Sequence, residues 1–291
     1  MMTGPIRRSW RFIDGVLLAG LLALAVGAAW PVWRGIFDRA INDAEQSHVL
    51  LAAPVALWLV WVRRERLRRS RPQWSMAGPA VIAIGALSGW YGFTRGHLAL
   101  EDLGAVLMAA GAVLTVVGVR TARQFLPAFV ALLFLIPVPG MIRQQIAIPL
   151  QEATAVITAA GLDLTGFPVA RDGNVIVING REVAVAEACN GMRMVSALLL
   201  VSFAFVFSTP MRQGVRVLIL AASPLVALIC NVIRLVPVVL FYGYSTQETA
   251  DFFHDLSGWL VLVIALGILW TFLSVLRWVE IPVTPYAVAQ E

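Results

Sequence analysis

The chain has no lysine. All 22 of its basic side chains are arginine, so the net charge of +5 rests on guanidinium groups that stay protonated at any working pH. Charge of either sign is scarce: 13% of the 291 residues, where soluble domains carry about a quarter. With 59% hydrophobic residues and a mean hydropathy of +0.82, this excludes a soluble globular enzyme and indicates an integral membrane protein. Cysteine is limited to Cys189 and Cys230, too few for a disulfide framework. No Cys-x-x-Cys and no Cys/His metal spacing occurs, so neither a metal nor an organic cofactor is expected. A leader cleavage site is also lacking. Arg7, Arg8 and Arg11 precede an apolar stretch, Val16 to Trp33, but no small-residue site follows it, and the stretch reads as a first membrane span.

What is present in quantity is apolar sequence. Runs approaching the roughly 20 residues of a span occur at 12–33, 46–62, 76–94, 98–119, 125–142, 191–209, 216–243 and 256–278. They predict an all-α polytopic membrane protein with about eight transmembrane helices. The run at 46–62 is short, and Thr94-Arg95-Gly96-His97 blurs the boundary between the third and fourth. One set of alternate loops holds Arg7, Arg8, Arg11, Arg63, Arg64, Arg66, Arg68, Arg69, Arg71, Arg120, Arg123, Arg212, Arg216 and Arg277. The other set holds the remaining eight arginines with 13 of the 17 acidic residues. The positive-inside rule then puts both termini in the cytoplasm. Topology accounts for the net charge, so no nucleic-acid partner is expected. The stretch RRERLRRSR, residues 63–71, should stop translocation and lie on anionic membrane lipid.

One outside loop differs from the rest. In RQQIAIPLQEATAVITAAGLDLTG (143–166) apolar residues recur at helical spacing, at Ile146, Ile148, Leu150, Ala155, Val156 and Ile157, with Pro149 interrupting. This predicts an amphipathic helix along the outer interface. Asp172-Gly173 and Asn179-Gly180 follow, each a hairpin-turn dipeptide between β-branched runs, and they predict short strands at 167–170, 174–178 and 181–187. Helix and hairpins together make a small extracytoplasmic cap, 143–190, leading into the sixth span. The chain thus divides into an N-terminal four-span region, 1–124, and a core, 125–291, that includes the cap.

The cap ends in a polar knot, EACNGMR (187–193), set against a run apolar enough to enter a bilayer. Cys189 lies where a strand ends and a membrane helix begins, with Asn190 placed as N-cap. Unpaired N–H groups and the positive helix end favour a thiolate there and could bind an oxyanion. Gly191 admits a substrate backbone closely, and Arg193 adds a fixed positive charge one turn in. The alternative is a cysteine that merely packs at a helix end, which is how mid-span Cys230 reads. Further on, CNVIRLVP places Asn231 and Arg234 three apart on one helical face. An arginine within a span costs a few kcal/mol, so it is paired and functional or it snorkels to the surface. Pro224 and Pro237 should bend this helix and free carbonyls. In ADFFHDLSGW, His254 has Asp251 and Asp255 as neighbours that can fix its tautomer, or it is structural, as His48 and His97 are read to be. By the loop count, Cys189, Arg234 and His254 lie toward the outer ends of the last three spans.

Cysteine in EACNGMR, arginine in NVIR and histidine in FHDLSGW, in that order on the last three spans, resemble the exosortase/archaeosortase family. The resemblance covers roughly 125–278; Asn190 stands where family members commonly have serine. It implies a membrane-embedded cysteine protease-transpeptidase of the cytoplasmic (inner) membrane with its active site outside. Cys189, Arg234 and His254 would be its catalytic residues, and Glu187, Asn190, Gly191, Arg193, Asn231, Asp251 and Asp255 would support them or bind substrate. The implied partners are exported proteins that end in a sorting signal: a short Pro-Glu-Pro-like motif, a transmembrane helix and a basic tail. Two other readings compete. One is a transporter or flippase of anionic lipid-linked substrates, for which no inverted repeat speaks. The other is a structural partner in exopolysaccharide assembly, in which Cys189 would be dispensable.

Overall fold

Every apolar run of the sequence becomes helix, but two of them do not become one helix. The computed structural model describes residues 10–43, 46–70, 72–185 and 191–278. The run at 12–33 forms Phe12–Ala28 (α1) and Trp30–Asn42 (α2), bent by 76°. Pro31 has no N–H to return to the carbonyl four residues back, so the first helix ends and a second begins. The run at 125–142 forms Leu126–Leu132 (α8) and a 3-10 turn at Leu133–Leu135, and Pro137 and Pro139 close it before the next helix starts at Gly140. Between these lie Val49–Val62 (α3), Arg64–Arg69 (α4), Ala77–Arg95 (α5), Leu98–Val117 (α6) and Val119–Gln124 (α7). The chain divides into two units, Met1–Val138 and Pro139–Glu291.

Among the described residues, two helices are long and apolar enough to cross a membrane, Leu98–Val117 and Gln213–Tyr244, or up to four if each interrupted pair counts as one. A helical membrane protein is borne out; the count of eight spans is not. The 14 residues of α3 rise only about 21 Å, short of a hydrocarbon core of roughly 30 Å.

In the first unit, α5 and α6 form a hairpin whose backbones approach across glycine. Gly78, Gly85 and Gly92 recur every seven residues on α5, as Gly104 and Gly111 do on α6, so each set lines one face. A Cβ added at Gly104 would stand 2.6 Å from the Gly85 carbonyl oxygen and the Gly89 nitrogen; one at Gly92 would stand 2.6 Å from the Glu101 nitrogen. Small residues are what allow such approach between helices that have no water to exclude. The blurred stretch 94–97 is the turn of this hairpin. Gly96 is left-handed (φ 70°), and the His97 N–H returns to the Gly92 carbonyl at 2.8 Å, closing α5 with a Schellman bond.

The second unit opens with Gly140–Leu164 (α9), a helix that continues through Pro149. Thr154, Ala155, Thr158 and Leu162 form its buried face, whereas Ile146, Ile148, Val156 and Ile157 are exposed. Three antiparallel strands follow in sequence order: Val169–Asp172 (β1), Val175–Ile178 (β2) and Arg181–Ala184 (β3). Asn179 and Gly180 both take positive φ (50° and 73°), the signature of a tight turn matched to strand twist. Alternation along β2 buries Ile176 and Ile178. Three helices complete the unit, Gly191–Ser208 (α10), Gln213–Tyr244 (α11) and Gln247–Trp278 (α12).

The sheet is tied to the end of α11. Ile176, Ile178, Val183 and Val185 share an apolar cluster with Ala155 and Leu162 of α9 and Leu235, Val238 and Val239 of α11. Ile178 sits over Gly243, where a Cβ would stand 2.8 Å from its Cγ2. Arg181 donates to the carbonyls of Tyr242 (3.0 Å) and Ser245 (2.9 Å), and Asn179 donates to that of Gly243 (3.0 Å). These are the carbonyls a helix end leaves without partners, and a guanidinium there also complements the dipole. A second cluster, including Leu198, Val206, Ile219, Val226, Cys230 and Val261, packs α10, α11 and α12 together. Cys230 is fully buried within it, a packing residue.

Candidate functional site

Asn231 and Arg234 lie on the packed face of α11, 3% and 4% exposed. Burial at this level rules out snorkelling, which requires the guanidinium to reach the surface. Instead it turns to α12: Arg234 Nε donates to Ser257 Oγ at 3.0 Å, and an Nη donates to the His254 carbonyl at 3.2 Å. Ser257 Oγ in turn donates to the same carbonyl at 2.8 Å. The three residues form one closed hydrogen-bonded junction between two helices. Nε and one Nη are met in this way, which lowers the cost of burying the charge. The junction also brings two of the sequence candidates together, the permanent cation and the half-buried His254.

The polar seam continues toward α9. Asn231 Nδ2 donates to Thr154 Oγ1 (3.4 Å), whose hydroxyl is returned to the Leu150 carbonyl (2.7 Å). Thr158, one turn further on, is fully buried, and neither its Oγ1 nor Asn231 Oδ1 has a hydrogen-bond partner among the described residues. Buried polar atoms of this kind call for a partner, and Asn231 lies one turn before the arginine on α11. Of the two prolines in α11, Pro224 frees the Leu220 carbonyl, and the hydroxyl of Ser223 takes it up at 2.8 Å.

The remaining candidates divide. Asp251 accepts from Tyr242 Oη (2.8 Å) and Gln247 Nε2 (3.3 Å), tying the start of α12 to the end of α11. Asp255 belongs to α12, and Gly191 and Arg193 belong to α10, which opens at Gly191. Glu187, Cys189 and Asn190 lie outside the described residues. Described chain flanks them closely, with buried Val185 bonded to the Asn174 carbonyl (2.8 Å) on one side and Gly191 on the other. Among the described residues no three of His, Cys, Asp and Glu gather as a metal site would require.

Sequence reasoning passed over Ser257 and Thr154, although a serine three residues after His254 falls on the same helical face. It also passed over an ion pair in the first unit. Asp102, 1% exposed within α6, accepts from the Arg39 guanidinium of α2. The signal was available, since an acid inside an apolar helix is costly unless paired.

A family model described as transmembrane exosortase (Exosortase_EpsH) matches residues 39–271. No curated protein and no solved structure gives a significant match.

Proposed function

Because the chain belongs to the transmembrane exosortase family, we propose that it is a membrane cysteine transpeptidase in which Cys189, Arg234 and His254 carry acyl transfer. The His254 imidazole takes the proton of the Cys189 thiol, and the thiolate attacks the scissile carbonyl of an exported protein near its C-terminal sorting signal. Arg234 and the N–H groups at the start of α10 stabilise the negative charge that develops on the carbonyl oxygen. The C–N bond then breaks, the leaving amine takes the proton from the imidazolium, and a thioester remains on Cys189. An amine or another acceptor resolves it and frees the thiol. Neither metal nor organic cofactor takes part.

The observation that carries this reading is the buried Arg234 guanidinium bonded to the His254 carbonyl and to Ser257. Chain reach supports the third member. Val185 shares an apolar cluster with Leu235, the residue after Arg234, and Cys189 lies four residues beyond it, at most about 14 Å of extended chain. In this proposal the eight apolar runs place both termini in the cytoplasm of an inner membrane and the sheet outside. Asn231, Asn190, Glu187 and Gly191 border the substrate, Arg193 adds positive charge, and Asp251 and Asp255 flank the base.

Mass spectrometry of a tagged substrate's C-terminus tests the proposal. Cys189→Ala should abolish processing, while Cys230→Ala, altered only in packing, should retain most of it. Equal activity in the two variants would remove the enzyme and leave a transporter or an assembly partner.

A further inference from the structure

Gln73, Trp74 and Ser75 lead into α5, and Val119, Arg120 and Arg123 belong to α7; together they line a cavity of about 380 Å³. The two walls are fixed to each other. The Ser75 N–H donates to the Thr115 carbonyl at 3.1 Å. Gly118, at φ 80°, presses its backbone on Gln73 so closely that a Cβ would stand 2.3 Å from the Gln73 carbonyl oxygen. Arg120 and Arg123 are exposed, and neither has an acidic or hydrogen-bonding partner among the described residues. Three residues apart on one helical turn, they face the same way.

The level of this cavity follows from α6. Its 20 residues, apolar but for Glu101, Asp102 and Thr115, rise about 30 Å, the thickness of a hydrocarbon core, so its end at Val117 lies at a membrane interface. Trp74, exposed beside the cavity, is the residue type that anchors at that depth. The arginine-rich stretch 63–71 ends just before Gln73, so the local surface is cationic.

We infer that this cavity is a phosphate site, taking the headgroup of an anionic phospholipid between the Arg120 and Arg123 guanidinium groups. Planar forks match phosphate oxygens two by two, and Ser75 Oγ and the Gln73 amide add neutral donors at the wall. The nearby arginines attract anionic lipid diffusely; the cavity would hold one molecule in place. Inorganic phosphate shares the chemistry and could come from solution instead.

Native mass spectrometry tests this on the purified full chain after exposure to vesicles of phosphatidylglycerol and phosphatidylcholine in equal parts. The wild type should retain phosphatidylglycerol in preference. Arg120→Gln/Arg123→Gln should lower that retention on the order of tenfold. Arg64→Gln/Arg66→Gln, which removes the same charge from the neighbouring cluster, should leave it near wild type. Added inorganic phosphate that displaces the lipid assigns the site to the anion in solution; phosphate that leaves it bound assigns the site to the headgroup. Should the double variant fail to fold, the single variants Arg120→Gln and Arg123→Gln should each lose part of the retention. Undiminished retention in the folded Arg120/Arg123 variants, or an equal loss in the Arg64/Arg66 control, overturns the inference.

Discussion

Arginine at position 234 cannot lose its charge, so its burial depends on acceptors for its N–H groups. Ser257 supplies one of them and braces another, the His254 carbonyl. Ser257→Ala removes a hydrogen bond to a charged group, about 1.5–3 kcal/mol, and should lower substrate processing roughly tenfold to a hundredfold. Ser257→Thr keeps the hydroxyl and should recover most of the loss. Arg234→Lys gives up the fork and should lose a hundredfold or more, as removal of an oxyanion donor does. The two effects separate from that of the base in the alkylation of Cys189 followed against pH. Ser257→Ala should keep the wild-type profile, and His254→Ala should lose it. Near-normal processing by Arg234→Lys would mean that the guanidinium is structural. These residues differ in how plainly the sequence shows them. A charge in an apolar run is conspicuous because it is expensive there. A serine is not, since its hydroxyl can satisfy itself on a carbonyl of its own helix, as Ser208, Thr271 and Ser274 do in this chain.

At the scale of elements, hydropathy marked where helix would form and turn dipeptides marked where strands would reverse. Neither marked how helices end. Pro31 and the pair Pro137 and Pro139 interrupt apolar runs without lowering their hydropathy much, so a window average passes over them. The ties from Asn179 and Arg181 to the end of α11 join residues 61 to 64 positions apart, and no local pattern announces such a partner. The glycine stripes of α5 and α6 were visible as a spacing of seven, yet only the paired backbones give that spacing a meaning. Gly104→Ala should therefore lower the thermal stability of the detergent-solubilised protein, by about 1–3 kcal/mol of overpacking, because the new Cβ meets backbone rather than movable side chain. Gly20→Ala in α1, where nothing lies within 4 Å, is the matched control and should leave the melting temperature unchanged or slightly raised. Equal melting of the two variants would show that the α5–α6 approach does not limit stability.

For the whole molecule the governing quantity is the side of the membrane on which each loop lies. In the proposed topology the arginine split puts residues 63–71 in the cytoplasm and the start of α12 outside, and the proposed chemistry needs that placement, since its proposed substrates are exported. An enzymatic reporter fused after Arg69 should read as cytoplasmic, and one fused after Thr246 as exported. The reverse result at Arg69 would invert the molecule and place His254 and Arg234 where exported substrates never arrive.

The junction at residue 254 has a consequence for how such a chain can vary through descent. The acceptor that His254 offers to Arg234 and Ser257 is its main-chain carbonyl, an atom that all twenty amino acids carry. A change of codon 254 can therefore remove the imidazole without releasing the guanidinium, whereas a change at 234 or 257 loosens the junction itself. The proposed base is the exchangeable part of this arrangement. A lineage could try other side chains in its place, one mutation at a time, while the cation remains held for each of them to use.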